Sequence, residues 1–331
     1  MTTAQTSPPT AHVATSQRTT AQKIGHLART YTVYIALVLL VAYNLVATSG
    51  FATASTLQNL LFSVAPIVLI AVGQALAIGT GGIDLSVGSM MALSSAVLAM
   101  YLGYGEIVAL LVAVIVAVFL GMLNGAMIAY LNINPLITSL GLLVAVRGLA
   151  QALSGGSRSP IPGNGMFGWL GTAAIFGIPV VAIVVAVIAL LIALLVRKTT
   201  FGRYALFAGS NRAAAQLTGT PRNRMLVTIY ALSAGLAGLA GVLVSARIGA
   251  SDPSFIGINL ELTAIAAVVI GGTPLIGGRI NIGGTIAAAV FLQVIDTTFV
   301  MNNIDFAYAQ ILKAVLIVIA LFLQRAGKDS R

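Results

Sequence analysis

The sequence predicts an all-α, polytopic integral membrane protein with about ten transmembrane helices. Three observations carry that expectation. Apolar residues make up 59% of the 331 and charged residues only 7%. The mean hydropathy is +1.03, far above the range of water-soluble domains. Apolar runs close to twenty residues long recur along the chain. Two soluble domains would fit the length, but so few charges cannot coat two water-facing surfaces. Cysteine is absent, which excludes a disulfide framework, a thiolate nucleophile and a Cys-based zinc site. His12 and His26, the two histidines, both precede the first apolar run, so no His-centred site within the membrane is expected. Neither a metal nor a cofactor is called for. The first apolar run is too long for a signal h-region, so no cleavable signal is expected.

A hydrocarbon core of about 30 Å needs about 20 helical residues. Segments that meet this ruler run over 31–48, 60–79, 85–103, 107–131, 135–153, 172–196, 225–246, 258–276, 282–300 and 308–323. Residues 1–30 then form a polar arm, expected to be disordered, 31–323 the membrane domain, and 324–331 a tail. The weakest segment is 258–282, where Gly271, Gly272, Pro274, Gly277 and Gly278 interrupt the apolar run and point to a broken or re-entrant element.

Orientation follows from the basic residues, which favour the cytoplasmic side of short loops. The arm carries Arg18, Lys23 and Arg29; the 197–224 loop carries Arg197, Lys198, Arg203, Arg212, Arg222 and Arg224; the tail carries Arg325, Lys328 and Arg331. With ten spans all three fall on one side, which places both termini in the cytoplasm. The opposite side holds Glu106, Arg158, Asp252 and Asp305. The three basic segments account for most of the formal net charge of +10, and their shared side of the membrane explains it without a nucleic-acid surface. The partner they imply is membrane lipid and a cytosolic protein, with no nucleic acid.

Two polar segments carry most of the information. In 197–224, Thr200-Phe201-Gly202-Arg203 reads as a turn, Arg203 to Ala208 as a stretch lying against protein, and 211–217 as a short helix capped by Asn211. Such a loop suits a cytosolic partner that moves it as a lever; a lipid-contacting basic loop is the plainer alternative. In 79–89, Gly81 and Gly82 permit a tight turn, Asp84 is placed to cap the next helix, and Ser86, Gly88 and Ser89 let another helix approach.

The runs GGIDLSVGS at 81–89, TTFGRYALFAGSNRAAAQLTG at 199–219, SAGLAGLAG at 233–241 and ELTAIAAVVIGGTPLIGG at 261–278 resemble the permease subunits of bacterial ABC-type sugar importers, in the ribose and galactofuranose group. The resemblance covers roughly 50–323. It implies a permease of the bacterial inner membrane that pairs with a second copy or a sister permease. Its further partners would be two ATP-binding subunits inside and an extracytoplasmic sugar-binding protein outside. Carried onto this chain, Gly202, Arg203, Gly209, Asn211, Ala213, Ala214 and Gly219 belong to the loop that couples to the ATPase. Many members have an acid where this chain has Thr263, so no role for that acid carries over.

The residues themselves agree with an energy source outside the chain. Lys23, Lys198 and Lys313 lack the glycine frame of a phosphate-binding loop, and Gly327-Lys328 is followed by Asp329. The chain is therefore not expected to be an enzyme. Arg147, Glu261, Asp296 and Lys313 fall within expected spans, where charges are costly; they are read as pairing with one another or snorkelling to an interface, with hydrogen bonds to a sugar's hydroxyls as the functional alternative. Asp296 and Lys313 lie at equal depth on neighbouring helices and are expected to pair. A proton-coupled secondary carrier is the alternative function that buried carboxylates would serve. A passive channel would need repeated polar rings, which the sequence does not contain.

Overall fold

The computed structural model describes residues 20–210 and 221–326. It divides into two units, Met1–Thr32 and Val33–Arg331. The described part of the first unit is the opening of helix α1 (Thr20–Ala47), which starts ahead of the apolar run that begins near residue 31. Everything below concerns the second unit.

The second unit is built on α2 (Ala54–Gly79). Thr53 caps it by accepting from the Thr56 amide at 3.3 Å. From Val64 to Gly79 every residue is buried, as expected of a helix that is apolar all round. Pro66 lies inside it and cannot donate to the Phe62 carbonyl, which leaves one helical hydrogen bond unmade and a place where the helix can bend. Next come α3 (Val87–Tyr101), extended by a 3₁₀ turn over Leu102–Tyr104, and α4 (Glu106–Tyr130). In α5 (Pro135–Ser154) the Asn134 side chain accepts from the Leu136 amide at 2.9 Å, Pro135 fills the first turn, and Gly155 closes the end in the left-handed region at φ 61°.

A short helix α6 (Met166–Thr172) precedes α7 (Val180–Lys198) and α8 (Thr200–Ser210). The chain continues through α9 (Arg222–Ile248), α10 (Leu260–Ile270), α11 (Ile282–Met301) and α12 (Phe306–Ala326). Extended pairs are minimal: β1 (Ser159–Pro160) runs antiparallel to β4 (Ala250–Ser251), and β2 (Ala174–Ile175) to β3 (Ile178–Pro179).

Each of the ten expected segments coincides with a helix, and only α10 among them is too short by itself to cross. Among the described residues seven helices are long and apolar enough to cross a membrane: α2, α3 with its 3₁₀ turn, α4, α5, α7, α9 and α11. Of the other three, α1 and α12 run for 28 and 21 residues with apolar stretches over Tyr31–Ala47 and Phe306–Phe322, and α10 is the short one. The 11 residues of α10 rise about 16 Å at 1.5 Å each, roughly half the hydrocarbon core. The glycines after it end the helix there.

Packing explains which helices sit where. α9 runs among α2, α3 and α4, and its pairing with α4 is the most extensive in the molecule. α4 turns a stripe of small residues at four-residue spacing, Ala109, Ala113, Ala117, Gly121 and Gly125, towards α9. A Cβ on Gly121 would come within 2.5 Å of the Ala234 side chain, and one on Gly238 within 2.7 Å of that of Ala117. The two backbones are thus as close as small residues allow, which is how helices gain dispersion contacts where lipid supplies no hydrophobic drive.

Candidate functional site

Three backbones meet at the end of α2. α8 begins at Thr200, so the turn expected over 200–203 is helix instead. Gly202 reads as a turn residue in sequence, but it is small because α8 crosses the end of α7, where a Cβ would overlap the Val196 carbonyl. α8 buries Gly202, Ala205 and Ala208 on one face, at three-residue spacing. Its Gly209 faces the Gly79 carbonyl and the Thr80 Cα, with no room for a side chain. From the third direction, Gly278 donates its amide to the Gly79 carbonyl at 2.9 Å. Gly81 and Gly277 stand at φ +80° and +81°, which only glycine adopts without strain. Asn281 braces the glycine-rich segment, donating to the Gly271 carbonyl at 2.7 Å and receiving Gly284 N–H at 3.2 Å as the N-cap of α11. On the opposite face of α8 Arg203, Tyr204 and Phe207 are exposed. Asn211, Ala213, Ala214 and Gly219, with the helix expected over 211–217, lie outside the described residues.

The 79–89 run dives from this junction back among the helices. Asp84 is fully buried. Its Oδ1 receives the Ser86 hydroxyl at 2.6 Å and the Ser86 amide at 3.1 Å, and its Oδ2 receives the Ser233 hydroxyl of α9 at 3.2 Å. The Gln74 amide, oriented to satisfy its hydrogen bonds, donates to the Asp84 carbonyl at 2.9 Å and accepts from the Asp84 amide at 3.2 Å. Asp84 therefore does not cap α3. It folds the chain two residues ahead of itself and ties it to α9, while Ser86 is the N-cap residue and makes no side-chain cap. Gly82 lies under the Tyr230 hydroxyl with Pro135 beside it, and Gly88 presses backbone to backbone on Gly257.

The four expected intramembrane charges separate into two places. Asp296 and Lys313 meet at 2.5 Å, joining α11 to α12, with side-chain exposures of 14% and 12%. No other ion pair exists among the described residues. Arg147 on α5 spends one guanidinium nitrogen on the Pro253 and Ile256 carbonyls, at 2.9 and 2.6 Å, clamping the loop before α10. Glu261 sits near Gly88, its Oε2 buried without a hydrogen bond.

At the other half of α2 an open cleft of about 690 Å³ lies between α2, α9 and α11. Asn59, Ser63, Arg247, Gln293, Asp296 and Thr297 supply its polar groups, and Phe62, Pro66 and Leu243 part of its apolar wall. Arg247 is held from three sides: it donates to the Gly171 carbonyl at 3.1 Å and Asn59 Oδ1 at 3.0 Å, and its guanidinium lies 3.9 Å from the Phe62 ring centre. Arg247 follows the expected end of its span by one residue and so escaped the count of intramembrane charges. Asn59, Ser63 and Gln293 carry no motif that marks them in sequence; only the apposition of three distant helices does. Among the described residues no cluster of side chains could hold a metal.

The family model described as branched-chain amino acid transport system / permease component matches residues 56–321. Curated relatives match over most of their length. The fructose import permease protein of Bifidobacterium longum is 34% identical over 82% of this chain and 78% of its own. The galactofuranose transporter permease protein of Escherichia coli is 34% identical over 80% and 78%. The ribose import permease protein of Bacillus subtilis is 35% identical over 88% and 91%. No solved structure gives a significant match.

Proposed function

The chain belongs to the branched-chain amino acid transport system / permease component family, and from that premise we propose that it is the transmembrane permease subunit of an ATP-driven ABC importer. Its cargo is a monosaccharide or a related small polyol, the class named in its relatives. The observation that carries the reading is α8, a helix with a small-residue face seated on the end of α2 and an outer face that presents Arg203, Tyr204 and Phe207. A partner that pulls on this face moves the end of α2 and the 271–281 segment together, because the contacts at Gly79, Gly209 and Gly278 are backbone on backbone and leave no side chains to absorb the motion. Pro66, where α2 can bend, lies in the cleft wall, ahead of the helix half that ends at Gly79. Cycles of ATP binding on two separate subunits would thus tilt one half of α2 against the other, which is the differential motion alternating access needs.

In this reading the α8 end faces the cytoplasm, as do both termini, and the cleft opens towards an extracytoplasmic sugar-binding protein. A second copy of the chain or a sister permease completes the membrane unit. The test is substitution on the two faces of α8. Gly209→Leu forces a side chain against Gly79, and Arg203→Glu reverses the charge offered to the partner. Both are expected to lower uptake by the assembled complex about tenfold or more while the protein remains in the membrane. Normal uptake and normal ATP hydrolysis in both variants would make α8 a lipid-contacting element instead.

A further inference from the structure

We propose that the cleft between α2, α9 and α11 binds a neutral polyhydroxylated molecule directly, with Asp296 accepting one of its hydroxyls and Lys313 holding that carboxylate in position. The inference rests on the permease reading above and adds to it a binding site within the membrane unit, with named contacts.

Asp296 divides its two oxygens. Oδ2 takes the Lys313 ammonium, whereas Oδ1 is buried and has no hydrogen-bond partner among the described residues. A buried carboxylate oxygen left unpaired is unfavourable, so a donor that enters the cleft and draws this carboxylate round to meet it is favoured. The residue lines a cavity whose 690 Å³ falls within the ordinary range for small-molecule sites. The opposite side of the cleft offers the complementary chemistry. Arg247 is oriented by Gly171, Asn59 and Phe62 and has N–H groups left over for an acceptor. Ser63 and Gln293, also in the lining, make no side-chain hydrogen bond among the described residues and can donate or accept.

The charges select the occupant. A carboxylate or phosphate would bring a like charge to Asp296, and an ammonium would face both Arg247 and Lys313. A hydroxyl is donor and acceptor at once, so a molecule bearing several can satisfy Asp296 on one side and Arg247 on the other without charge. Phe62 and Leu243 supply apolar surface for its C–H faces. Lys313 is then a positioning residue: it holds Asp296 Oδ2 and so leaves the other oxygen for the ligand.

Two experiments on the assembled complex, with ribose and fructose as probes, test this. The exchange Asp296→Lys with Lys313→Asp preserves the ion pair but moves the carboxylate to α12. It is expected to reach the membrane at near-normal level and to raise the KM for the transported sugar about tenfold or more. A normal KM in the exchanged protein would overturn the proposal. Should the exchanged protein not accumulate, a thiol decides the matter alone. The chain contains no cysteine, so Thr297→Cys places a single thiol in the cleft lining. Its alkylation by a small maleimide is expected to slow severalfold in the presence of the transported sugar. Equal rates with and without sugar, in a complex that imports that sugar, would rule the site out. Failure of the unaltered complex to import any of a panel of monosaccharides and small polyols with ATP would instead overturn the permease reading and this inference with it.

Discussion

Tyr230 shows how individual residues in this molecule trade satisfaction for position. Its side chain is fully buried on α9 and its hydroxyl has no hydrogen-bond partner among the described residues. A buried hydroxyl without a partner destabilises by about 1–3 kcal/mol. Tyr230→Phe removes that group and keeps the ring over Gly82, so the variant is expected to unfold at a temperature a few degrees higher in detergent, read as the midpoint of thermal aggregation. A lower midpoint would mean that the hydroxyl is satisfied in the membrane. Asp84 is the opposite case, with both oxygens bonded. Its burial could not be read from the sequence, because the partner that fixes its role, Ser233, is 149 residues away. A glycine-flanked acid ahead of an apolar run looks like a helix cap, and only the α3–α9 packing makes it a tie between elements. The unpaired Asp296 oxygen was equally hidden, while the Asp296–Lys313 pair itself was legible. Depth along two helices joined by a short connection leaves two opposite charges few other places to go.

Between elements, the α4–α9 contact carries much of the fold, and it depends on what its residues lack. Gly121→Leu would drive a side chain into Tyr230 and Ala234 and separate the two helices along the stripe from Ala109 to Gly125. Overpacking of this kind costs about 1–3 kcal/mol or more. The expected result is a protein whose amount in the membrane falls severalfold, measured by immunoblot and by the monodisperse fraction after solubilisation. An unchanged amount would mean that the helices can separate without loss. The apolar spans were readable because a bilayer demands length and apolarity of each segment by itself. α10 was counted over 258–276, yet the glycines that follow it already marked the break that ends the helix at Ile270. One element was not readable: α8 looked like a turn because glycine at 202 signals a break in isolation but a close helix crossing in context. The polar lining of the cleft, drawn from α2, α9 and α11, had no local signature at all.

At the scale of the whole chain, two features occupy opposite halves of α2: a glycine junction that binds α8 to the core, and a cleft with a built arrangement of donors and acceptors. Pro66 stands at the cleft's edge nearer the junction. On the reading proposed above, work enters at one end and a solute is met at the other, and the sequence has no phosphate-binding loop of the GxxxxGK(S/T) kind. A proton-coupled carrier built on Asp296 or Glu261 would need neither α8 nor partners. The direct discrimination is uptake of labelled ribose or fructose into vesicles containing this chain, with or without its ATP-binding and sugar-binding partners, while the proton gradient is collapsed by a protonophore. The account predicts uptake that requires the partners and ATP and continues with the gradient gone. Uptake by this chain alone, abolished by the protonophore, would contradict it.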